Sequence, residues 1–460
     1  MTGARAALAA GCLIAQCSSG TAWAQDAFNI SAFGASSLAM GGVAAASNVG
    51  LPGMMVNPAT LGLMNEGSYG ELGAGVITAS VKAKNEATGE IADSHTRGRN
   101  NGPYYAPELA YLWRYRRYAL GIGVFASSGV GTEYGTGSFL SRTTTNGVDT
   151  GLDNFSRLMA LKIPFSMAYQ VTDKLTVGGA VEAVLIAANM GLLFDASQLG
   201  VLGAQGRLSG GLLSSLMSVP GLSGAQLQFS NGKIAGGAAD GWGVSGKLGL
   251  TYQATPRTRL GLAYQFKTHV SDLTGSAQVT AVSASAGNIP IGGTVRIADF
   301  QLPASFTVGI SQDLSDRLTV AADYQRVFWR DVMSSLQVGF TQDGSGKGIS
   351  LSLPLNYRDT NVFSIGAQYR YNANWTFRGG FHYAQEAAPG SGLLAIIPST
   401  PTTSITAGGA YTFNRGGTID FALGYSLPKR VASSGNTGSS VPISVTDSMF
   451  HVACSYTQRF

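Results

Sequence analysis

Charge is scarce in this chain. Asp, Glu, Lys and Arg make up 12% of its 460 residues, roughly half the share usual in a soluble globular domain. Long apolar runs are missing as well: mean hydropathy is only +0.13, and no stretch approaches the roughly 18 to 20 residues of a spanning helix. The best candidate, Val181 to Phe194, is interrupted by Glu182 and Asn189. An ordinary cytosolic enzyme and a helical membrane protein are both disfavoured. The four histidines (His95, His269, His382, His451) fall in separate segments without metal spacing, and no Gly-x-Ser-x-Gly elbow or phosphate loop is evident. The residues therefore indicate no enzyme, cofactor or metal, although a barrel lipase needs only a Ser, a His and a polar orienter meeting in space. What is plentiful is glycine, at 63 residues, and aromatics, with 5 Trp, 18 Tyr and 20 Phe. So many aromatics exclude a disordered chain and leave a large all-β protein.

Residues 1–24 read as a secretory signal peptide, with Arg5, an apolar stretch from Ala6 to Ala15, and Ala22-Trp23-Ala24 as the cleavage site. Lipidation at Cys12 is the alternative, weakened by a short apolar run and Ala9. Cleavage after Ala24 leaves Cys454 as the one cysteine, so the exported protein has no intramolecular disulfide. Loss of Arg5 takes the formal net charge from +5 to +4, without charge runs, and gives no sign of a nucleic-acid partner.

From Ser68 onward the sequence alternates with period two, as in Trp242, Val244, Leu248, Leu250 and Tyr252, or Ile419, Phe421, Leu423 and Tyr425. Strands are expected near 68–81, 107–116, 118–134, 160–172, 174–190, 240–254, 257–279, 296–313, 316–340, 348–371, 374–385, 403–413, 417–427 and 447–460. After the first connection, tight turns such as Arg116-Arg117, Thr172-Asp173 and Asn372-Ala373 alternate with long Gly/Ser-rich loops. An even strand number with short turns on one rim and long loops on the other marks an outer-membrane barrel. The expected fold is thus an all-β, 14-stranded antiparallel transmembrane β-barrel over residues 67–460, both termini periplasmic.

Residues 25–66 do not alternate. They carry Phe28, Ile30, Phe33, Leu38 and Met40 and close on Asn57-Pro58-Ala59, where the proline fixes φ and the Asn side chain can bond nearby amides. So apolar a segment is expected in the lumen as an N-terminal hatch rather than as a periplasmic tail. Small Gly, Ala and Ser partners along the strands fit a plugged lumen.

An apolar-flecked N-terminus closing on Asn-Pro-Ala, many strands, and a terminal Phe460 together resemble the long-chain fatty acid and aromatic hydrocarbon transporter family of outer membranes (FadL/TodX-like, OMPP1). Leu302-Pro303-Ala304-Ser305, followed by Asp316-Arg317-Leu318-Thr319-Val320, is similar to one family passage. Tyr357-Arg358-Asp359-Thr360, then Gly366-Ala367-Gln368-Tyr369 and Asn374-Trp375-Thr376-Phe377-Arg378, is similar to another. The chain departs from the pattern at Ile397-Pro398-Ser399-Thr400-Pro401. The resemblance implies diffusive uptake of an apolar compound, which lands on outer loops, moves to a lumen pocket, and leaves when the hatch rearranges and a kinked third strand opens the wall sideways. It implies no cofactor.

The residues allow each step. The third strand loses its alternation at Ser127, Ser128, Gly129, Val130 and Gly131, where glycines permit a bulge; Ser127, Ser128, Gly129 and Gly131 are the candidate lateral opening, and a mere twist is the alternative. Phe28, Ile30, Phe33, Leu38 and Met40 are candidate ligand contacts. Leu208, Leu212 and Leu216 recur at helical spacing in a long outer loop, as a landing patch or a lid. The alternation turns Lys247, Lys267, Arg378, Asp323, Asp420 and His382 inward, so Lys247, Lys267 and Arg378 are candidates for an anionic head group or for internal ion pairs. Expected partners are a hydrophobic small molecule, outer-membrane lipids and lipopolysaccharide, and the barrel assembly machinery through Phe460, for a monomer. A polar-solute porin and a surface adhesin or structural barrel are the rival functions.

Overall fold

The computed structural model describes residues 27–94, 103–231, 236–398, 402–414, 416–433 and 441–460. The expected signal peptide and Ser399-Thr400-Pro401 lie outside them.

The first described segment, residues 27–66, is buried for most of its length and carries one short helix, α1 (Gly34–Ala39), and two 3-10 turns, Leu51–Met55 and Pro58–Leu63. The second turn starts as the Asn-Pro-Ala sequence dictates. Pro58 occupies the position where a missing N–H costs nothing, and the Asn57 side chain accepts from the Ala59 amide at 3.0 Å.

The chain then becomes almost entirely strand. β1 (Gly67–Asn85), β2 (Ile91–Asp93), β3 (Tyr104–Tyr115), β4 (Tyr118–Glu133), β5 (Phe155–Gln170) and β6 (Leu175–Asp195) come first. An outer excursion follows: α2 (Ala196–Ala204), β7 (Leu208–Ser209), α3 (Gly211–Met217) and β8 (Leu222–Phe229). Next are β9 (Ala239–Thr255), β10 (Thr258–Gln265), β11 (His269–Val270), β12 (Leu273–Ser283), β13 (Gly287–Ala298), β14 (Ser305–Asp313) and β15 (Leu318–Val327). The chain ends through β16 (Ser335–Gln342), β17 (Gly348–Pro354), β18 (Thr360–Arg370), β19 (Trp375–Ala384), β20 (Thr403–Thr412), β21 (Gly417–Ala432) and β22 (Ile443–Arg459).

All of these strands belong to one 22-stranded sheet, which closes where Tyr69–Asn85 of β1 pairs with Ile443–Arg459 of β22. Closure removes sheet edges and satisfies the backbone in lipid. The expected count of fourteen is corrected by the connection between β6 and β9. Leu175–Ala188 of β6 pairs with β9 directly, but farther out Met190–Asp195 pairs with β8. β8 in turn pairs with β12, and Thr274 of β12 meets Asp240 of β9. The closed circuit through this outer rim has sixteen strands. Of the two extra strands, β8 fell in no expected segment and β12 was merged with β10 in the expected segment 257–279. Segment 257–279 holds β10, β11 and the start of β12, with breaks at 266–268 and 271–272, and 296–313, 316–340 and 348–371 each hold parts of two strands separated by breaks at 299–304, 328–334 and 355–359. Alternation continues into the hairpins above the membrane, so the period-two pattern alone does not mark where the wall ends.

The outer surface is the apolar face of the alternation. Leu72, Leu109, Val181, Leu248, Ile405 and Leu423 stand exposed. Near the short turns aromatics gather, with Trp113 stacked on Tyr115 at 5.6 Å, Tyr118 beside Tyr169 at 4.9 Å and Trp375 beside Tyr411 at 4.9 Å, the girdle expected at a membrane interface. Phe460 lies at the same rim, exposed, its amide donating to the Ser68 carbonyl at 2.8 Å.

Candidate transport pathway

Among the described residues, the wall is interrupted between β3 and β4. Their ladder runs from Tyr115 opposite Tyr118 to Glu108 opposite Phe125 and stops. Tyr104–Pro107 continue to pair with β1 alone, and Ser128–Glu133 with β5 alone. Two sequence features account for the break. The register of β4 slips between Ala126 and Ser128, which leaves Ser127 as a bulged residue. Pro107, on the facing strand, has no N–H to offer. Ser127 and Ser128 are buried, and Gly129 sits beside them. Gly131 stands farther along, opposite Arg157 of β5.

The free inner edge of the bulge is taken by the N-terminal segment. Ile30 N–H donates to the Ser127 carbonyl at 3.2 Å and Gly129 N–H to the Phe28 carbonyl at 3.0 Å. Ser128 Oγ is 3.2 Å from Asn29 Oδ1. Behind this seam lies a cavity of about 260 Å³. Its apolar face comprises Ile30, Leu38, Ile77, Ala106, Met159 and Leu161, and it reaches Tyr105 and Pro107 on one side of the seam and Ala126 and Gly129 on the other. A second, polar cavity of about 110 Å³ shares Asn29, Ile30, Ser31, Ser128 and His382 with it.

The candidate ligand contacts divide on inspection. Ile30 and Leu38 line the central cavity, and Ile30 and Phe33 the polar one. Phe28 lines neither; its ring, 1% exposed, is enclosed by Trp329 at 5.6 Å edge-on, Tyr357 at 5.8 Å and Phe300 at 6.4 Å, beside a cavity of only about 40 Å³. Met40 packs on Val43 and Ala321, away from the described cavities. Leu212 and Leu216 do share a helix, α3, but their side chains pack on Val279, Ala281 and Phe340, while Leu208 joins the large apolar cluster above the lumen. None of the three reaches a described cavity; they hold the outer hairpins together.

The candidate cations are mostly engaged. Lys247 Nζ is 3.1 Å from Glu182, contacts the Met55 carbonyl of the N-terminal segment, and is joined by Lys162 Nζ, also 3.1 Å from Glu182. Removing one member of such a buried group costs about 3–5 kcal/mol because a charge is left uncompensated. Arg378 pairs with Asp420 at 2.6 Å and Gln368 at 2.8 Å, in a polar cavity of about 200 Å³ under the segment. Lys267 lies in the connection between β10 and β11 and touches none of the described cavities. Asp323 holds the segment by its backbone, accepting from the amides of Ala44 at 2.7 Å and Ala45 at 2.8 Å. Lys162 and Glu182 were not among the sequence candidates, although the interruption of Val181–Phe194 by Glu182 was their signal.

Asn57 is the centre of the segment's attachment. Its Nδ2 donates to the carbonyls of Ala45 at 2.7 Å and Leu250 of β9 at 3.0 Å. Gly249 makes this possible, because a Cβ there would overlap the Asn57 amide. The outer mouth is a further cavity of about 200 Å³, with Leu140, Leu192, Leu394 and Ile396 as its apolar side and Asp195 on its rim. Burial alone raises the Asp195 carboxyl, but hydrogen bonds from Thr145 and Ser197 hold it down to about 2.

Residues 12–460 match the model of the outer membrane protein transport protein family (OMPP1/FadL/TodX). The toluene transporter TbuX of Ralstonia pickettii is 50% identical, with 94% of this chain and 99% of that one covered at a TM-score of 0.79. The toluene transporter TodX of P. putida is 39% identical over the same shares, with a TM-score of 0.84. A long-chain fatty acid transport protein of Escherichia coli O6:H1 is 25% identical over 287 residues, 60% of each chain.

Proposed function

The chain belongs to the OMPP1/FadL/TodX family of outer-membrane transport proteins, and within that family we propose that its substrates are monoaromatic hydrocarbons. It is an outer-membrane β-barrel for uptake of hydrophobic small molecules. The narrower reading rests on the greater likeness to toluene transporters than to a fatty acid transporter, and on a central cavity of about 260 Å³ with an apolar face.

The one observation that carries the route is that this cavity borders the unpaired seam between β3 and β4. A hydrocarbon entering at the outer mouth passes to the central cavity and leaves through the seam into the membrane, without crossing the polar space below. Residues 25–66 serve as the hatch: Phe28–Ile30 cover the inner side of Ser127–Gly129, and their release opens the way. Residues 1–24 are the leader removed on export. Phe460, free at the rim, is the contact for the assembly machinery, and one barrel in outer-membrane lipid and lipopolysaccharide suffices for transport. No catalysis enters this reading.

Toluene uptake into proteoliposomes tests it. Uptake well above protein-free vesicles is expected, abolished when the seam is stapled by cysteines at Pro107 and Ala126. Equal uptake before and after stapling removes the lateral route, and sugar-driven swelling at comparable rates favours a polar-solute porin.

A further inference from the structure

We propose that the central cavity also takes hydroxylated monoaromatics, phenols and cresols, with His382 and His451 receiving the hydroxyl group; this rests on the cavity being the transport site. The face opposite the apolar residues is a stripe of hydrogen-bonding side chains laid across four neighbouring strands. His382 of β19 stands opposite Ser404 of β20, itself opposite Ser426 of β21. One step along, Thr406 of β20 stands opposite Gly424 of β21, which is opposite His451 of β22. All six border the cavity, and Gly424 leaves a notch between Thr406 and His451.

Counting donors and acceptors shows what this stripe lacks. His382 Nδ1 lies 2.9 Å from Ser364 Oγ and 3.3 Å from the Gly41 carbonyl. We assign the ring hydrogen to Nδ1, where it can reach the Gly41 carbonyl, which makes Nε2 an acceptor. That Nε2 has no partner among the described residues, on a side chain only 4% exposed. The Thr406 hydroxyl gives its hydrogen to the Ala39 carbonyl at 3.2 Å, and Ser404 and Ser426 bond each other at 2.8 Å. His451 makes no hydrogen bond to a described residue. A hydrocarbon filling the cavity leaves these groups unmatched, at the usual cost of a buried polar atom without a partner. A ring bearing one O–H donor matches both faces at once.

p-Cresol and p-xylene provide the test, because they differ by a hydroxyl in place of a methyl. Their dissociation constants are measured by equilibrium dialysis for the purified full-length protein, His451→Leu and His382→Leu, with heat-modifiable gel mobility reporting folding. The preference for p-cresol over p-xylene is expected to fall about tenfold in the variants while p-xylene binding is kept. Because His382 also touches the hatch at Gly41, a parallel loss of both ligands in that variant hands the decision to His451→Leu, which removes no bond between described residues. An unchanged preference in His451→Leu overturns the proposal and leaves the hydrocarbon reading intact. Failure of the wild-type protein to bind p-xylene overturns the reading of the cavity itself.

Discussion

The two ends of the N-terminal segment are held in different ways. The leading end, Phe28 to Ile30, is held by side-chain packing, a phenyl ring among Trp329, Tyr357 and Phe300, and by the few hydrogen bonds to the bulge of β4. The trailing end, Met40 to Ala59, presses its backbone into the wall: the Ala45 carbonyl sits where a side chain at Gly261 would stand, and Met40 and Gly41 fill the places of side chains at Gly366 and Gly380. Packing of an exchangeable ring is reversible, whereas a backbone seated against bare glycine has no substitute. In the proposed reading as a hatch, the segment would act as a flap with a fixed root, the root being the end that carries the Asn-Pro-Ala sequence.

The largest effect is expected at the leading end. Phe28→Ala should weaken its docking by about 3–5 kcal/mol, the usual cost of emptying a buried aromatic site. Hydrogen exchange should accelerate at Ile30 and Gly129 and toluene uptake should rise, with heat-modifiable mobility and the Ala44 and Ala45 amides unchanged. Loosening of both ends together would break the distinction. Next comes Asn57→Ala, which removes three side-chain hydrogen bonds at about 1 kcal/mol each. Here the amides of 44–60 should exchange faster while Ile30 keeps its protection.

Gly261→Val asks whether the root seals the lumen. Overpacking there costs about 1–3 kcal/mol, and the displaced root should admit sugars in a liposome-swelling assay. A variant as tight as the wild type would mean that the root is not the seal. The smallest effect concerns the roof over the leading end. Asp195 is held to about 2 in the folded loops, below the ordinary carboxylate value of about 3.9. A lowered folded value stabilises the loops above pH 4, and that contribution is lost as the pH falls from about 4 through 2. Amides of 143–145 should keep their protection from pH 8 to 5 and lose it only below about 4; a loss near pH 6 would assign the switch to another group.

The barrel was legible because a wall between lipid and lumen forces strict alternation, and alternation survives in the sequence as Phe421, Leu423 and Tyr425 or Leu248, Leu250 and Tyr252. The outer rim was not, because β8 is buried on both faces without alternation and β12 continues the pattern of β10, while both pack on each other and on α3. Helical spacing located α3 at Leu212 and Leu216, but Leu208, taken with them, lies in strand β7, and the spacing said nothing of what the leucines face. The burial of the N-terminal segment was signalled by its apolar residues out of period, and the bulge by Ser127 and Ser128. The lumen groups stayed hidden, because partners such as Glu182 and Lys162, or the row His382, Ser404 and Ser426, meet only through the register between neighbouring strands, which the alternation of each strand does not fix.

The joint between β1 and β22 has a kinetic meaning. Its halves lie about 370 residues apart in the chain, so a very long loop must close before the barrel exists, and contacts of such separation form late. The root of the hatch, next to β1, is synthesised long before β22. A plug seated by its backbone inside a closed wall can hardly be threaded in afterwards, so the strands must wrap around it. We expect barrels refolded from residues 67–460 to stay leaky when a peptide of residues 25–66 is added after folding, and to be sealed when it is present from the start. Sealing by late addition would show that the wall can open wide enough to admit the whole segment.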